Sequence, residues 1–353
     1  MNKDLDLLDS IFTRIESIEQ ELDNQTRKML WERIARDTLQ SNHARSLTPH
    51  ASRRRRLFTA VSAAAAVLIL CLAGYFSFHT EPDSPINYDS VAQYFPHEIE
   101  NIQLVLPDRI VEIRKNPSVV YEPGCVIADG VKYPIAQSDE IHQFIVPFGK
   151  TADVQLADGS KVRVNAGSKL IYKSGMGGTR RQVYVNGEVF LDVFHDENRP
   201  FTVKTNRLDV RVLGTEFDVR AYDDEEVQSV VLVSGSVSVS ADLLDQRYRI
   251  SPEQCFSYNT SNCDISIRQV PVENYIAWMD GLMILDNSPL KEVFRQINRY
   301  YNVEIVYDSS LENVRISGKL DIRSSVEDTL ETIGLVAGTQ YRFEEGKYCI
   351  SAR

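Results

Sequence analysis

The longest apolar stretch of the chain is residues 57–78, LFTAVSAAAAVLILCLAGYFSF, in which 22 consecutive residues carry no charge. As an α-helix this stretch would be about 33 Å long, enough to cross a hydrocarbon core of about 30 Å. A lone strand would leave its backbone polar groups without partners in lipid. The pattern predicts one transmembrane helix. A buried core helix and a cleaved signal peptide are the alternatives, and the all-round apolar surface and the 56 preceding residues argue against them.

The charges that flank this segment predict its direction. Arg53, Arg54, Arg55 and Arg56 precede it directly, and no Lys or Arg occurs from residue 79 to residue 108. Lys and Arg are enriched in cytoplasmic loops next to membrane helices. We therefore expect a single pass through the membrane, with an Arg-flanked helix at 53–78, residues 1–52 in the cytoplasm and residues 79–353 on the other side.

Residues 1–52 have the spacing of two short helices. Apolar residues recur every three or four positions, which places them on one face of a helix. A segment of this size buries little surface alone, so it either forms a small hairpin or self-dimer, or folds around a cytoplasmic partner. The apolar residues proposed for that contact are Leu5, Leu8, Phe12, Ile15, Ile18 and Leu22 in the first helix and Leu30, Trp31 and Ile34 in the second.

The period changes to two after a Pro- and Asp-containing linker at 79–100. Ile102, Leu104 and Leu106 alternate with polar residues, and a similar run ends at the turn dipeptide Asp158-Gly159, a strong hairpin signal. Eight or more short strands separated by turn residues predict a β-sandwich or a closely related double sheet over 101–250. The further predicted strands are 182–186, 188–194, 201–205, 209–213, 216–221, 227–234 and 236–240, with tight turns at Gly187 and Gly235.

Residues 241–275 have no clear period, and we predict irregular structure there with a turn at 251–254. Residues 278–353 then alternate between strand and helix patterns in the order β-α-β-β-α-β-β, which predicts a small α+β domain. Asn287, Ser288 and Pro289 are typical of a helix start, and a second helix is expected to begin near Ser325. The overall fold class is thus a single-pass membrane protein with an all-α inner segment, a β-rich outer domain and a C-terminal α+β domain.

Composition limits the function of the outer part. Residues 1–56 carry a net charge of +2 and the remainder a net charge of −13, which argues against direct nucleic-acid binding there. The five cysteines include no CxxC pair and the six His residues are scattered, so we expect neither a metal site nor a cofactor. Cys255 and Cys263 are close enough in sequence to close a short disulfide loop, although nothing else supports that pairing.

No motif in the chain indicates enzyme chemistry on an external, small-molecule substrate. The run Gly175–Gly178 lacks the Lys-Ser/Thr of a phosphate-binding loop, and neither a GxSxG nor an HExxH sequence occurs. His195 lies beside Asp196 and Glu197 in a charged, turn-like stretch that is typical of a solvated loop rather than of a general base.

Four runs resemble the periplasmic domain of the FecR family. They are LADGSKVRVNAGSKLIY (156–172), VYVNGEVFLDVFHDENRPFTVKT (183–205), VRVLGTEFDVRAY (210–222) and VVLVSGSVSVS (230–240). The extra segment 86–146 is similar to the version found in Bacteroidetes, and residues 278–353 are similar to the secretin/TonB short N-terminal type of domain. The match at 183–188 departs from the family, which often has a more hydrophobic residue before Gly187-Glu188.

This resemblance implies a role in transcription regulation. FecR-family proteins are anti-sigma factors of cell-surface signalling systems, so the implied location is the inner membrane with a periplasmic C-terminus. The implied partners are an ECF-type sigma factor in the cytoplasm and the signalling domain of an outer-membrane TonB-dependent transporter in the periplasm. A structural or adhesive envelope protein that uses the same domains is the alternative.

The resemblance also implies one reaction of the chain on itself. Some family members cut themselves at a Gly-Thr bond in the motif that here contains Gly214 and Thr215. A Thr hydroxyl could attack the preceding carbonyl if the turn strains the peptide, and water would open the resulting ester. The alternative is a tight turn in which Gly214 has a positive φ and Thr215 bonds its own backbone.

Overall fold

The structure, a computed structural model, describes residues 99–135, 139–177, 181–242 and 246–353, which belong to a single compact unit. The predicted inner helices, Arg53–Arg56, the apolar segment 57–78 and most of the linker 79–100 lie outside the described residues. Within these ranges, no helix is long and apolar enough to cross a membrane. The described part consists mostly of β-strands, with few helices.

Among the described residues, eighteen strands precede the first helix and form two sheets that share one long strand. The first sheet has the order β16-β15-β12-β11-β10-β9-β6-β1-β2, and the second has the order β5-β4-β3-β7-β8-β10-β13-β14-β17-β18. Pairing is antiparallel except at β10–β11 and β3–β7. The bounds are β1 Ile102–Val105, β2 Ile110–Ile113, β3 Ser118–Glu122, β4 Cys125–Ala128, β5 Val131–Pro134, β6 Ile141–Val146, β7 Ala152–Gln155, β8 Lys161–Val164, β9 Ser168–Lys173, β10 Arg181–Asp192, β11 Phe201–Lys204, β12 Leu208–Val212, β13 Glu216–Ala221, β14 Val227–Ser234, β15 Val237–Ala241, β16 Arg247–Ile250, β17 Gln254–Asn259 and β18 Ile265–Gln269.

Alternate residues of both sheets pack into one apolar core. This alternation follows from the period of two along a strand, which directs every second side chain to the same face. Phe144, Leu170, Phe201, Phe217 and Phe256 are fully buried members of that core. The predicted double sheet over this part of the chain is therefore what the strands form.

The shared strand β10 corrects one prediction. Gly187 does not form a tight turn between two strands, because β10 runs through it from Arg181 to Asp192. The first half of β10 pairs with β9 and β11, and the second half pairs with β8 and β13. Gly187 has φ +124°, and a Cβ on it would lie 2.4 Å from the Cβ of Ser168. Glycine is thus required where the strand passes from one sheet to the other.

The predicted hairpin at Asp158-Gly159 is confirmed. It joins β7 to β8, and Gly159 has φ +88°. The Asp158 carboxylate accepts hydrogen bonds from the N–H and the hydroxyl of Ser160. It also forms a buried ion pair at 3.0 Å with Arg181, whose side chain is fully enclosed. The charge of Arg181 is therefore neutralised inside the sheet, as a buried cation requires.

The segment expected to be irregular after residue 241 is in fact largely strand. β16, β17 and β18 lie within it and extend both sheets. The turn predicted at 251–254 is confirmed, because the N–H of Gln254 donates to the carbonyl of Ser251 over 3.1 Å and Glu253 has φ +64°. The thiols of Cys255 and Cys263 are both free: Cys255 is buried in β17, and Cys263 is exposed and accepts a hydrogen bond from Tyr258.

The C-terminal part has its own apolar core and two small sheets. The predicted order of strands and helices is confirmed, with β19 paired to β21 and with a second sheet in the order β20-β23-β22. Phe294, Ile297 and Leu330 lie in the core. The bounds are α1 Glu273–Ile276, β19 Leu282–Pro289, α2 Leu290–Tyr301, β20 Glu304–Tyr307, β21 Arg315–Asp321, α3 Val326–Ala337, β22 Thr339–Glu344 and β23 Lys347–Ala352, with 3-10 turns at Ala277–Asp280 and Ser309–Leu311.

The two predicted helix starts have different outcomes. Ser325 caps α3 as expected, since its hydroxyl accepts from the N–H of Asp328. Asn287 and Ser288 do not cap α2, because they lie in an irregular stretch of β19, and Pro289 occupies the cap position without a side-chain hydrogen bond. The sheet pairing of β19 thus continues into residues whose local sequence favours a helix cap.

Candidate functional site

An acidic turn of the β-sheet part meets a basic face of α2. The turn between β13 and β14 contains Asp224, Glu225 and Glu226. Lys291, Arg295 and Arg299 are spaced four residues apart on α2, so they lie along one face of the helix. Their partners are Glu226 for Lys291 at 3.4 Å, Asp224 for Arg295 at 3.9 Å, and both Asp224 and Glu225 for Arg299.

Arg299 is the most enclosed member of this contact, with a side chain that is only 5% exposed. Its guanidinium lies over the ring of Tyr222, with Cζ 3.7 Å from the ring centroid, and Arg220 is placed at 5.2 Å from the same ring. The hydroxyl of Tyr222 donates to the carbonyl of Ala166 over 2.8 Å. The cations thus gain both ion pairs and the electrostatic attraction of an aromatic face.

Glu225 joins the two arginines. It accepts a bidentate pair of hydrogen bonds from Arg220 at 2.7 and 2.8 Å, and it also accepts from Arg299. Burial would raise the pKa of Glu225, but the charges and hydrogen bonds of the two guanidinium groups outweigh it and lower the pKa to about 2. Arg220 further bonds Glu188 at 3.1 Å. The result is a buried ion cluster, which we define as Glu188, Arg220, Glu225 and Arg299.

The pKa of a carboxyl beside this cluster is shifted in the opposite direction. Asp218 accepts a hydrogen bond from the indole N–H of Trp278 over 3.2 Å. Burial raises the pKa of Asp218 well above its ordinary value, and the negative charge of Glu188 adds to the effect, while Trp278 and Arg220 lower it less. Asp218 therefore ionises less readily than an exposed carboxyl, and its hydrogen bond with Trp278 anchors the segment between β18 and β19 to strand β13.

A cleft of about 490 Å³ lies beside the ion cluster. Glu188, Arg220 and Arg299 line it, and Tyr275, Trp278 and Tyr300 supply aromatic surface. The ends of β18 and the start of β19 also border it, through Gln269 and Leu282 among others. A cleft of this size, between two cores and with mixed polar and aromatic walls, is suited to binding rather than to a particular reaction.

The residues proposed for self-cleavage lie apart from this cleft, between β12 and β13. The loop after β10 runs alongside them, since Val193 donates to the Thr215 carbonyl at 3.1 Å and Asp196 donates to the Leu213 carbonyl at 2.8 Å. The buried hydroxyl of Thr215 donates to the carbonyl of Ser236 over 3.2 Å. The expected bond of Thr215 to its own backbone is therefore replaced by a bond to the next hairpin.

Gly214 is needed here for space rather than for an unusual conformation. Its φ is not in the left-handed region, which corrects the expectation of a positive φ. A Cβ at this position would lie 2.4 Å from Nδ1 of His195. The structure thus brings His195 against Gly214, although the imidazole itself is mostly exposed and lies 3.6 Å from Glu197.

The proposed sigma-binding residues and Arg53–Arg56 lie outside the described residues, so the structure places none of them. Sequence reasoning also missed the ion cluster. Two signals could have indicated it: the run Asp223–Glu226 is entirely acidic, and the three cations of α2 repeat every four residues. Neither signal alone says that the two segments meet.

Both the β-sheet part and the C-terminal part of the chain are similar to known proteins. Residues 144–238 match the family model described as FecR protein, and residues 282–350 match the model described as FecR, C-terminal. Two crystal structures of a candidate anti-sigma factor from Parabacteroides distasonis ATCC 8503, at 2.50 and 1.65 Å resolution, are similar to this chain. Each shows 31% identity and a TM-score of 0.57, and the match covers 60% of this chain and 99% of the other.

The chain belongs to the FecR family of anti-sigma factors. No curated protein matches it. Arg220 and Glu225 lie in the segment that matches the FecR model, and Arg299 lies in the segment that matches the FecR C-terminal model. The ion cluster therefore joins the two family segments of this FecR-family chain to each other.

Proposed function

We propose that this chain is a single-pass inner-membrane anti-sigma factor. In this proposal residues 1–52 bind an ECF-type sigma factor in the cytoplasm, and the part after residue 78 receives a signal from an outer-membrane TonB-dependent transporter. The observation that carries the proposal is family membership across two segments, 144–238 and 282–350. The uncharged stretch 57–78 and the four arginines before it support the topology.

The ion cluster suggests how the outer part would pass on a signal. A partner that pulls on or rotates the C-terminal core acts on α2, and α2 is joined to β13 and its following turn through Arg299. Because a buried ion pair is costly to break, the two cores would move together rather than separately. The signal must then change the position, the oligomeric state or the intactness of the membrane segment, since a ligand acts only through a difference between states.

The test of the proposed function is a pull-down of the candidate sigma factor with residues 1–56, together with a sigma-dependent reporter in cells. We expect specific capture, and we expect capture to be lost when Leu8, Phe12 and Ile15 are replaced by Asp. A matched control replaces Ser10, Thr13 and Ser17 by Asp, because these residues lie off the apolar stripe. Absence of binding, with reporter output unchanged after deletion of residues 1–56, would instead favour a structural or adhesive envelope protein.

A further inference from the structure

Strand β19 has an open edge. It pairs with β21 alone, in a two-stranded antiparallel sheet. The N–H of Ile322 donates to the carbonyl of Gly281, just before β19, over 3.0 Å. Hydrogen-bonded pairs alternate along an antiparallel ladder, so the residues on this side that bond β21 are 281, 283 and 285. Leu282 and Ile284 therefore direct their backbone N–H and C=O groups away from β21, and no hydrogen bond among the described residues uses these groups.

This open edge borders the cleft. Leu282, Met283 and Ile284 line it, as does Gln269 at the end of β18. Strand β18 is the last strand of its sheet, and the N–H of Val270 donates to the carbonyl of Glu253, so alternation directs the backbone groups of Gln269 away from β17. Two strand ends with free backbone donors and acceptors thus border one cleft.

Natural proteins usually protect such edges with charges, proline or a covering element. The opposite end of the second sheet shows this protection: in β5, the residues whose backbone groups face outward are Lys132 and Pro134, since Ile135 donates to Gly124 and fixes the alternation. In β19 the outward residues are apolar and half-buried, and no proline occurs before Pro289. A two-stranded sheet is also marginal by itself, and a third strand would stabilise it.

We infer that the cleft binds an extended polypeptide segment, which adds to β19 as a third strand. The backbone of this segment would form hydrogen bonds with the N–H and C=O groups of Leu282 and Ile284. Alternate apolar side chains of the segment would contact Tyr275 and Trp278. In this mode of recognition, backbone pairing gives affinity and side-chain fit gives specificity. The inference deepens the proposed function because it names the surface on which a protein partner docks. It rests on that proposed function for the role of the partner.

The test uses the full-length chain in lipid nanodiscs and a phage-displayed library of random dodecapeptides as the probe. We expect enriched peptides in which apolar and polar residues alternate, and we expect N-methylation of alternate backbone positions to weaken binding at least tenfold. The substitution Ile284→Pro removes an outward N–H without removing a ladder bond, so it should also weaken binding at least tenfold. Lys132→Pro is the matched control on the edge of β5 and should leave binding unchanged.

Near-UV circular dichroism and the thermal midpoint of Ile284→Pro verify that the variant is folded. If that variant is misfolded, the N-methylated peptides alone decide. The proposal is overturned if the library yields no peptide above the empty-nanodisc background, if Ile284→Pro binds normally, or if N-methylation has no effect. These outcomes are separate from the sigma-factor test: peptide binding at β19 without sigma capture would refute only the proposed function, and the reverse would refute only this surface.

Discussion

The guanidinium of Arg299 lies against the face of the Tyr222 ring, with 3.7 Å between Cζ and the ring centroid. Tyr222 directly follows β13 of the β-sheet part, and Arg299 lies near the end of α2 in the C-terminal part. The same arginine pairs with Glu225, which in turn pairs with Arg220. One side chain therefore contacts the β-sheet part through both an aromatic face and a shared carboxylate.

Replacement of Arg299 by Ala should strongly destabilise the protein. The change leaves Glu225 with one cationic partner in a buried place, and breaking a buried ion pair costs about 3–5 kcal/mol. Urea denaturation, followed by near-UV circular dichroism, measures the free energy of unfolding. Arg295→Ala is the matched control on the same helix face, because its contact with the exposed Asp224 is 3.9 Å long and should contribute less than about 1 kcal/mol. Equal effects of the two variants would contradict a special role of Arg299.

The contribution of Glu225 to the free energy of unfolding should depend on pH. Its pKa is lowered from 4.5 to about 2 in the folded chain, so the contribution is present above pH 4.5 and is lost as the pH falls toward 2. A shift of this size corresponds to about 3 kcal/mol. Urea midpoints between pH 6 and pH 3 should fall more steeply for the wild type than for Glu225→Gln. Glu304→Gln, in an exposed pair with Lys347, should keep the wild-type slope.

The contribution of Asp218 to stability should change with pH in the opposite direction. Because burial raises its pKa above 3.8, the unfolded chain loses this proton at a lower pH than the folded chain does, so stability falls as the pH rises from 3.8 through the raised value. Asp218→Asn keeps an oxygen acceptor for the indole N–H of Trp278 and cannot ionise. We expect the variant to be at least as stable as the wild type, with an advantage that grows as the pH rises above 3.8. A loss of stability that grows as the pH rises would show that Asp218 is needed as a carboxylate.

Thr215→Ala tests the possibility of self-cleavage. The Thr215 hydroxyl is buried and donates to Ser236, and the φ of Gly214 is not in the left-handed region, so the local geometry favours an uncut chain. We expect one full-length band on a denaturing gel for both proteins, and a loss of about 1 kcal/mol in the variant from the missing hydrogen bond. Two fragments in the wild type that disappear in Thr215→Ala would establish cleavage at this bond, and Thr215→Ser should then restore it.

Gly187→Ala should be far more damaging than a similar change at an open turn. A Cβ at Gly187 would lie 2.6 Å from the Cα of Ser168, in addition to the strain of φ +124°. The combined loss should be about 3 kcal/mol or more in the free energy of unfolding. Gly124→Ala is the control, because Gly124 also has a positive φ but nothing lies within 4 Å of its Cβ position. The difference between the variants measures the clash, and similar losses would mean that φ alone matters.

Most of the individual strands could be predicted from the sequence because each depends on local alternation. Strands β13 and β14 match their predicted bounds, and the hairpin at Asp158-Gly159 forms as the turn dipeptide indicates. Local reasoning failed where the fold overrides it. Glycine at 187 is typical of a turn, but the passage of β10 from one sheet to the other uses it inside a strand. Residues 247–269 lack clear alternation, yet they complete two sheets because neighbouring strands offer them free edges.

The sequence by itself determined the order of strands and helices in residues 278–353, the family and the expected division of the chain by an apolar segment at 57–78. These properties follow from short-range periods and from motifs that lie within one run of residues. Only the tertiary structure decided that Arg299 meets Tyr222 and Glu225, that Asp218 is buried beside Glu188, and that β19 keeps an open edge toward a cleft. These contacts join residues about 30 to 80 positions apart, and no local pattern fixes such distances because they depend on how whole sheets and helices pack.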